Sequence, residues 1–142
     1  MPREYPEYPL PGVAAVVLDE DKVLLVQRGR EPARGLWGLP GGAVELGETV
    51  AAALRREVRE ECGLEIEIGP LLAVFEPVQR DDAGRVRYHY VVLDCLARAC
   101  GGELRAGDDA ALARWVPLAE LDALPMLEVT RAVVRQGADF AR

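Results

Sequence analysis

The middle of the chain, from Gly41 to Leu64, reads GGAVELGETVAAALRREVREECGL. Its second half has apolar residues at intervals of four, which predicts an amphipathic helix from Thr49 to Cys62. Thr49 is a residue type that favours the N-cap of a helix, and Gly63 is one that ends a helix. The stretch therefore predicts a glycine-rich loop that leads directly into a helix.

Three glutamates of this helix, Glu57, Glu60 and Glu61, lie at positions i, i+3 and i+4. That spacing places all three carboxylates on one helix face. Like charges so placed repel by roughly 0.2–0.5 kcal/mol per pair, so the grouping does not stabilise the helix. One interpretation is a solvated face balanced by nearby arginines. The other is a site for a hard divalent cation such as Mg²⁺ or Mn²⁺.

Strand patterns stand on both sides of this loop and helix. Residues 12–18 and 22–28 predict two strands joined as a hairpin. The further predicted elements are strand pieces at 37–39 and 43–45, strands at 64–75, 86–97 and 113–116, a loop at 101–110, and a last helix at 129–136. Strands before and after a central helix predict a mixed α/β domain. We expect an extended arm over residues 1–11 and a single domain over residues 12–142.

The composition excludes several classes of partner. The chain has 142 residues, half of them apolar, with 17 basic and 24 acidic side chains and a net charge of −7. Such an acidic protein has no general attraction for nucleic acid polymers or anionic membranes. No apolar run is long enough to span a membrane, the N-terminus lacks a signal-peptide pattern, and three cysteines form no close pair. We therefore expect a cytoplasmic protein that meets phosphates through a few arginines or bound cations.

Covalent catalysis is disfavoured by the residues present. The chain contains no serine and a single histidine, His89, which excludes a Ser–His pair. None of the cysteines has a histidine near it in sequence, so a Cys–His pair is disfavoured as well. If the chain is a hydrolase, attack by metal-bound water is the remaining mechanism.

The spacing of fixed residues across this stretch resembles the signature of the Nudix hydrolase family. Five residues separate Gly42 from Glu48, and seven separate Glu48 from Arg56-Glu57-Val58. One residue then precedes Glu60-Glu61, and one more precedes Gly63-Leu64. Every fixed position of the signature matches. The resemblance extends over roughly residues 12–136. It implies an α/β/α sandwich around a mixed, curved β-sheet, with the loop–helix–loop motif as its catalytic part.

The same resemblance implies an activity and its metal ligands. Family members hydrolyse a diphosphate by attack of water at phosphorus, with Mg²⁺ or Mn²⁺, and we expect two or three ions with substrate bound. By position, Glu60 and Glu61 match the main metal ligands. Glu57 matches a further ligand that is the general base in some members, and the carbonyl of Gly41 matches a backbone ligand.

Supporting and substrate-binding candidates complete the predicted site. Glu48 and Arg56 match an ion pair that holds the loop against the helix. Asp109 stands six residues before a tryptophan, where some members place a further acidic ligand or base; the alternative is that it caps a turn. The substrate-binding candidates are Arg28 and Arg34 for phosphate and Trp37 for stacking a base, against the alternatives of a solvated loop and a core residue.

The substrate is less defined than the reaction. Residues 101–110, GGELRAGDDA, resemble the ADP-ribose pyrophosphatase branch, but a proline that marks this branch is replaced by Gln79 or Arg80. We expect ADP-ribose or a similar nucleotide sugar, with (deoxy)nucleoside triphosphates as the alternative. A non-catalytic nucleotide sensor is the alternative of another class, against which the intact motif counts. A homodimer that exchanges the N-terminal arm is also open.

Overall fold

The computed structural model of the protein describes residues 2–29, 33–107 and 110–142. Within these ranges, eight strands form one sheet and two α-helices accompany it. No helix in the same ranges is long and apolar enough to cross a membrane. The strands are β1 (Leu10–Asp19), β2 (Lys22–Arg28), β3 (Trp37–Gly38), β4 (Gly41–Ala43), β5 (Leu64–Phe75), β6 (Val78–Arg80), β7 (Val86–Gly102) and β8 (Ala110–Pro117). The helices are α1 (Val50–Cys62) and α2 (Glu128–Ala141), with a 3₁₀ helix at Leu118–Ala123.

Strand β1 lies at the centre of the sheet. It pairs in parallel with β7 along most of its length, and β7 pairs antiparallel with β5. On its other edge, β1 pairs antiparallel with β4 through its first half and with β2 only at Leu18 and Asp19. Strand β2 then pairs with β3 and β8. The sheet is therefore mixed, as predicted, and the expected β1–β2 hairpin is present but short.

The two faces of the sheet are covered by different helices. Val13, Ala15 and Val17 of β1 pack in one apolar cluster with the buried face of α1, which consists of Ala53, Leu54, Val58 and Cys62. Val16 packs in a second cluster with Val133 and Val134 of α2. Side chains of a strand alternate between faces, so one strand supplies both layers. The α/β/α arrangement is confirmed.

Helix α1 has the predicted ends. The Thr49 hydroxyl oxygen accepts a hydrogen bond from the Ala52 backbone N–H at 3.1 Å, which satisfies one of the unpaired donors of the first turn. Gly63 ends the helix in the left-handed region, at φ 74°, and its N–H donates to the Arg59 carbonyl. The capped helix holds its acidic residues at a fixed place beside the sheet.

Other boundaries differ from the sequence-based ones. Strand β7 continues to Gly102 because Leu64, the first residue of β5, pairs with that residue. Strand β6 was not predicted; its three exposed residues show no apolar alternation and pair with β7 next to a turn. Helix α2 extends to Ala141, five residues beyond the predicted end, and its last turn is exposed.

Candidate active site

The glycine strand, β4, brings the loop into contact with α1. An added Cβ at Gly42 would lie 2.5 Å from the carboxyl carbon of Glu57. At Gly41, an added Cβ would lie 2.0 Å from the Val13 carbonyl oxygen, in the backbone of β1. Neither place has room for a side chain. The two glycines therefore allow close approach, to a carboxylate in one case and to the central strand in the other.

Arg56 joins the loop to the helix. Its Nε and Nη2 donate to the two carboxylate oxygens of Glu48 at 2.7 and 2.9 Å, which is the bidentate geometry that guanidinium groups favour. Its Nη2 also donates to the Ala43 carbonyl at 3.0 Å. Its Nη1 donates to Glu57 Oε1 at 2.9 Å and to Glu60 Oε2 at 3.3 Å. One side chain thus holds the loop, the glycine strand and two acidic residues of α1.

The carboxylate of Glu48 is held ionised by this arrangement. The hydrogen bonds from Arg56 lower the pKa of Glu48 to about 2, and the bond from the Glu45 backbone N–H to Glu48 Oε1 acts in the same direction. The same contacts raise the pKa of Arg56, with the Glu48 bond as the largest cause. The pair therefore stays charged at any pH near neutrality.

A second loop packs on the C-terminal end of α1. The N–H groups of Arg105 and Gly107 donate to the carbonyls of Cys62 and Glu61 at 2.9 and 2.7 Å. An added Cβ at Gly107 would lie 2.0 Å from the Glu60 carbonyl oxygen, so only glycine fits there. These bonds satisfy carbonyls that the end of a helix leaves unpaired. The candidate Asp109, two residues further along the chain, lies outside the described residues.

The acidic residues of α1 differ in their surroundings. The side chain of Glu57 is 13% exposed and that of Glu60 is 60% exposed. Glu61 is half-buried, and its backbone carbonyl accepts the bond from Gly107. In the part of the chain that the structure describes, no three His, Cys, Asp or Glu side chains are already gathered as a set of metal ligands. Instead, the guanidinium of Arg56 bonds to the carboxylates of both Glu57 and Glu60.

The three substrate-binding candidates lie in different settings. Arg28, at the end of β2, and Arg34 are exposed. Trp37 is only 6% exposed and belongs to the apolar cluster on the α2 side, and its backbone N–H donates to the Pro125 carbonyl. The guanidinium of Arg114 lies 4.9 Å from the centre of the Trp37 ring. The structure thus places Trp37 in the core, and its role in stacking a base stays a prediction.

Sequence reasoning missed one contact of the site, at Gly107, and one buried acid in the sheet, Asp94. Gly107 stands in a run of small and polar residues, and nothing in the sequence shows that its backbone contacts α1. Asp94 stands in the apolar run VVLDCLA of β7, and it is 5% exposed. A lone acid inside an apolar strand was a usable signal, because carboxylates are rarely buried without a partner.

Comparisons with known proteins agree with this geometry. Residues 9–136 match the NUDIX domain. An ADP-ribose pyrophosphatase of Methanocaldococcus jannaschii is 40% identical over 124 residues, which cover 86% of this chain and 71% of that protein. A putative 8-oxo-dGTP diphosphatase 2 of Mycobacterium tuberculosis is 41% identical, with coverage of 92% and 86%. The crystal structure of a MutT NUDIX hydrolase from Burkholderia pseudomallei superposes with a TM-score of 0.79 at 34% identity, covering 92% of this chain and 98% of that one.

The chain belongs to the Nudix hydrolase family, whose members act on phosphoric anhydride bonds. Relatives differ in length: the chain spans 39% of the 8-oxo-dGDP phosphatase NUDT18 of Mus musculus, to which it is 37% identical. The names of the relatives include both ADP-ribose and oxidised guanine nucleotides, so family membership defines the bond that is broken and not the group attached to it.

Proposed function

We propose that this chain hydrolyses the diphosphate of ADP-ribose or of a similar nucleotide sugar, by attack of water at phosphorus, with Mg²⁺ or Mn²⁺. The observation that carries the proposal is the position of Glu57. Its carboxylate lies against Gly42 of the glycine strand and is fixed by Arg56. The glycines let this carboxylate and the backbone of the strand lie in contact, so acidic and carbonyl oxygens stand side by side, as the ligands of a hard cation do.

The residues present fit a divalent cation. Carboxylate and backbone carbonyl oxygens are the hard donors that Mg²⁺ and Mn²⁺ prefer. Helix α1 supplies Glu57, Glu60 and Glu61, and of these Glu57 lies against Gly42 of the glycine strand. Glu60 and Glu61 would be the main ligands, with Glu57 and the Gly41 carbonyl as further ones. When bound, such cations offset the charge of a diphosphate and lower the pKa of water. A protein of net charge −7 needs that compensation.

The chain's own residues then have separate tasks. Glu57 is the candidate to accept the proton of the attacking water on its carboxylate. Arg56 and Glu48 position it, because their bidentate pair fixes the loop at one distance from α1. Asp109 is a second candidate base or ligand. Arg28 and Arg34 are the candidates that contact substrate phosphate.

The choice of substrate rests on the relatives and on the sequence of residues 101–110. The 40% identity to an ADP-ribose pyrophosphatase and the GGELRAGDDA stretch both support ADP-ribose. The 41% identity to a putative 8-oxo-dGTP diphosphatase supports a nucleoside triphosphate as the second candidate. The same catalytic residues serve either substrate, since both contain a phosphoric anhydride.

The test is hydrolysis of ADP-ribose, 8-oxo-dGTP and dGTP, with Mg²⁺ or with a chelator, by wild type and Glu61→Gln. We expect metal-dependent turnover that falls by about 10²-fold or more in the variant, the scale of removing one electrostatic element. The matched control is Glu67→Gln, an exposed glutamate of β5, which should keep wild-type activity. Equal activity of Glu61→Gln and wild type, or no turnover of any substrate, contradicts the proposal.

Metal binding can be measured without turnover. Mg²⁺ should raise the Tm of the wild type by mass action, because the folded state binds the ion and the unfolded state does not. The rise in Tm caused by Mg²⁺ should be smaller in Glu61→Gln than in wild type, and in Glu67→Gln it should equal that of wild type. If millimolar Mg²⁺ leaves the Tm of the wild type unchanged, the acidic face is only a solvated surface.

A further inference from the structure

The two main ligand candidates, Glu60 and Glu61, lie in the last turn of α1. The end of a helix leaves its last four carbonyls without partners from within the helix, so the last turn frays most readily. Glu57 lies one turn earlier, where it is held by Arg56 and lies against Gly42. A cation site that uses all three glutamates therefore depends on what fixes the last turn of α1.

Residues from outside the helix bond to the carbonyls of this last turn. The N–H of Gly63 donates to the carbonyl four residues earlier, which is a common way for a helix to end. Two further bonds come from a segment that is distant in sequence, residues 105–107. The Arg105 N–H donates to the Cys62 carbonyl at 2.9 Å, and the Gly107 N–H donates to the Glu61 carbonyl at 2.7 Å. This segment thus satisfies carbonyls that would otherwise depend on water.

Gly107 lets the segment come close enough to form these bonds. The three heavy atoms nearest to an added Cβ all belong to the backbone of α1: the carbonyl oxygen and carbon of Glu60, at 2.0 and 2.9 Å, and the Cα of Glu61, at 3.0 Å. Backbone atoms cannot turn aside as the end of a side chain can. The helix cannot move away either, because Val58 and Cys62 at the same end are fully buried. A side chain in place of Gly107 would therefore push the segment off the last turn.

We propose that Gly107 is a positioning residue for the divalent cation. It lets residues 105–107 fix the last turn of α1, so that Glu60 and Glu61 hold their carboxylates in place for the ion. This inference rests on the proposed function, which assigns these carboxylates to Mg²⁺ or Mn²⁺. Without a cation, Glu57 repels the two glutamates that follow on its helix face, and a frayed turn would let them move apart. The backbone bonds hold the turn against that repulsion.

The experiment compares the binding of Mn²⁺ to wild type, Gly107→Ala and Gly101→Ala, measured without substrate by electron paramagnetic resonance of the free ion. Gly101 is the matched control because it precedes the same segment and has room for a methyl group: an added Cβ would lie 3.7 Å from the Cβ of Glu65, an ordinary contact. Removing a group that orients metal ligands typically weakens metal binding by roughly 10- to 100-fold. We therefore expect the Kd of Gly107→Ala for Mn²⁺ to rise about 10-fold or more. Gly101→Ala should keep the Kd of the wild type.

A merely structural role of Gly107 predicts a different result. It would lower the Tm of Gly107→Ala in metal-free buffer and leave the Kd for Mn²⁺ unchanged, and that outcome contradicts the inference. A positioning role also predicts rescue by metal. With ADP-ribose as substrate, the Mg²⁺ concentration that gives half the maximal rate should rise about 10-fold in Gly107→Ala. Saturating Mg²⁺ should then restore most of kcat, because all the carboxylates are still present. A kcat that stays low, with the same half-saturating Mg²⁺ concentration as wild type, contradicts the inference as well.

A measurement on the wild type does not depend on how the variant folds. Coupling between two sites is reciprocal, so if the contact of Gly107 with α1 raises the affinity for Mg²⁺, bound Mg²⁺ strengthens that contact by the same factor. Hydrogen exchange of the Gly107 N–H should therefore slow by about 10-fold when Mg²⁺ is added. The control is the Tyr5 N–H in the arm, which donates to the Arg87 carbonyl at the same distance of 2.7 Å and should exchange at an unchanged rate. No slowing at Gly107, or equal slowing at Tyr5, contradicts the inference.

The outcomes also separate this inference from the proposed function. If wild type hydrolyses ADP-ribose with Mg²⁺ and Gly107→Ala binds Mn²⁺ as tightly as wild type does, only the role of Gly107 is wrong. If Gly107→Ala binds Mn²⁺ more weakly than wild type, but wild type hydrolyses neither ADP-ribose nor 8-oxo-dGTP, the role of Gly107 is supported and the proposed function is wrong. A wild type that binds no Mn²⁺ contradicts both.

Discussion

Arginine–carboxylate contacts occur in two regions of the molecule at nearly the same distance. At the candidate site, Arg56 Nε lies 2.7 Å from Glu48 Oε2, and these side chains are 21% and 19% exposed. At the N-terminal arm, Arg87 Nε lies 2.6 Å from Glu4 Oε2, and these side chains are 49% and 47% exposed. The two pairs differ in burial and not in distance.

Burial decides how much each pair contributes. Water screens an exposed pair and competes for its hydrogen bonds, so most exposed pairs add little to stability. A half-buried pair is screened less, and removing one partner leaves the other charge without compensation. The Arg56 contacts also join three segments, whereas the Arg87 pair joins the arm to one strand. The N–O distances alone would predict that the two ion pairs contribute equally to stability.

Replacing Arg56 should give the largest effect. Arg56→Met leaves Glu48 and Glu57 close together and unpaired, so we expect a loss of about 2–3 kcal/mol, somewhat below that of fully buried pairs. The corresponding fall in Tm is roughly 10 °C. Activity should fall by about 10²-fold or more, because Glu57 and the glycine strand lose their common support. Denaturant unfolding and steady-state kinetics measure the two losses.

The matched control for this prediction is Arg87→Met. It removes an arginine at an equal distance from its carboxylate, but in the exposed region. Its Tm should change by less than about 2 °C, and its activity should equal that of wild type. Equal losses of stability in the two variants would show that burial does not distinguish these regions.

A smaller effect, and one that depends on pH, is expected for Glu48. Its pKa is about 2 in the folded protein, and a glutamate of the unfolded chain titrates near 4.3. A lowered pKa stabilises the folded state above the unfolded value, and this contribution is lost as the pH falls towards 2. In metal-free buffer, Glu48→Gln should therefore be less stable than wild type above about pH 5.

The difference in Tm between Glu48→Gln and wild type should narrow between about pH 5 and pH 2. Glu7→Gln, a change of an exposed glutamate in the arm, is the control and should follow the wild type at every pH. A difference that stays constant down to pH 2 would mean that the ionisation of Glu48 does not contribute.

The elements around the signature could be predicted because local residue types determine them. Thr49 and Gly63 define the ends of α1 by capping and by a left-handed backbone, and both were identified in the sequence. Strand β5 has the predicted bounds as well, from Leu64 to Phe75. In contrast, the full length of β7 depends on its pairing with β5, and such pairing between distant segments leaves no local pattern.

The candidate site shows the same division. Glu48 and Arg56 follow from the signature, and the structure brings them together. The contact of Gly107 with Glu60 does not follow, because it depends on how a loop more than 40 residues away in sequence packs on α1. The burial of Asp94 likewise depends on which strands flank β7. Residue spacing within the signature predicts which side chains take part in the chemistry. Contacts between segments that are distant in sequence are found only in the structure.

The smallest effect is expected in the arm, at Tyr5. Its hydroxyl donates to Asp81 Oδ2 at 2.8 Å, which raises the pKa of Tyr5, and the guanidinium of Arg85 lies 5.0 Å from its ring centre. Tyr5→Phe keeps the ring contact and removes the hydroxyl. Asp81 then still accepts bonds from Arg85 and from the Ala83 N–H. The Tm should fall by less than about 2 °C at pH 7, with activity unchanged.

The sign of the pH dependence distinguishes this contact from the one at Glu48. A tyrosine whose pKa is raised in the folded state stabilises it below the unfolded value, near 10, and this contribution is lost at higher pH. The difference in Tm between wild type and Tyr5→Phe should therefore vanish as the pH rises above 10. Because the contact lies within one chain, the difference should not depend on protein concentration. A dependence on concentration would instead indicate an arm exchanged between two subunits, and the arm would then contribute through association.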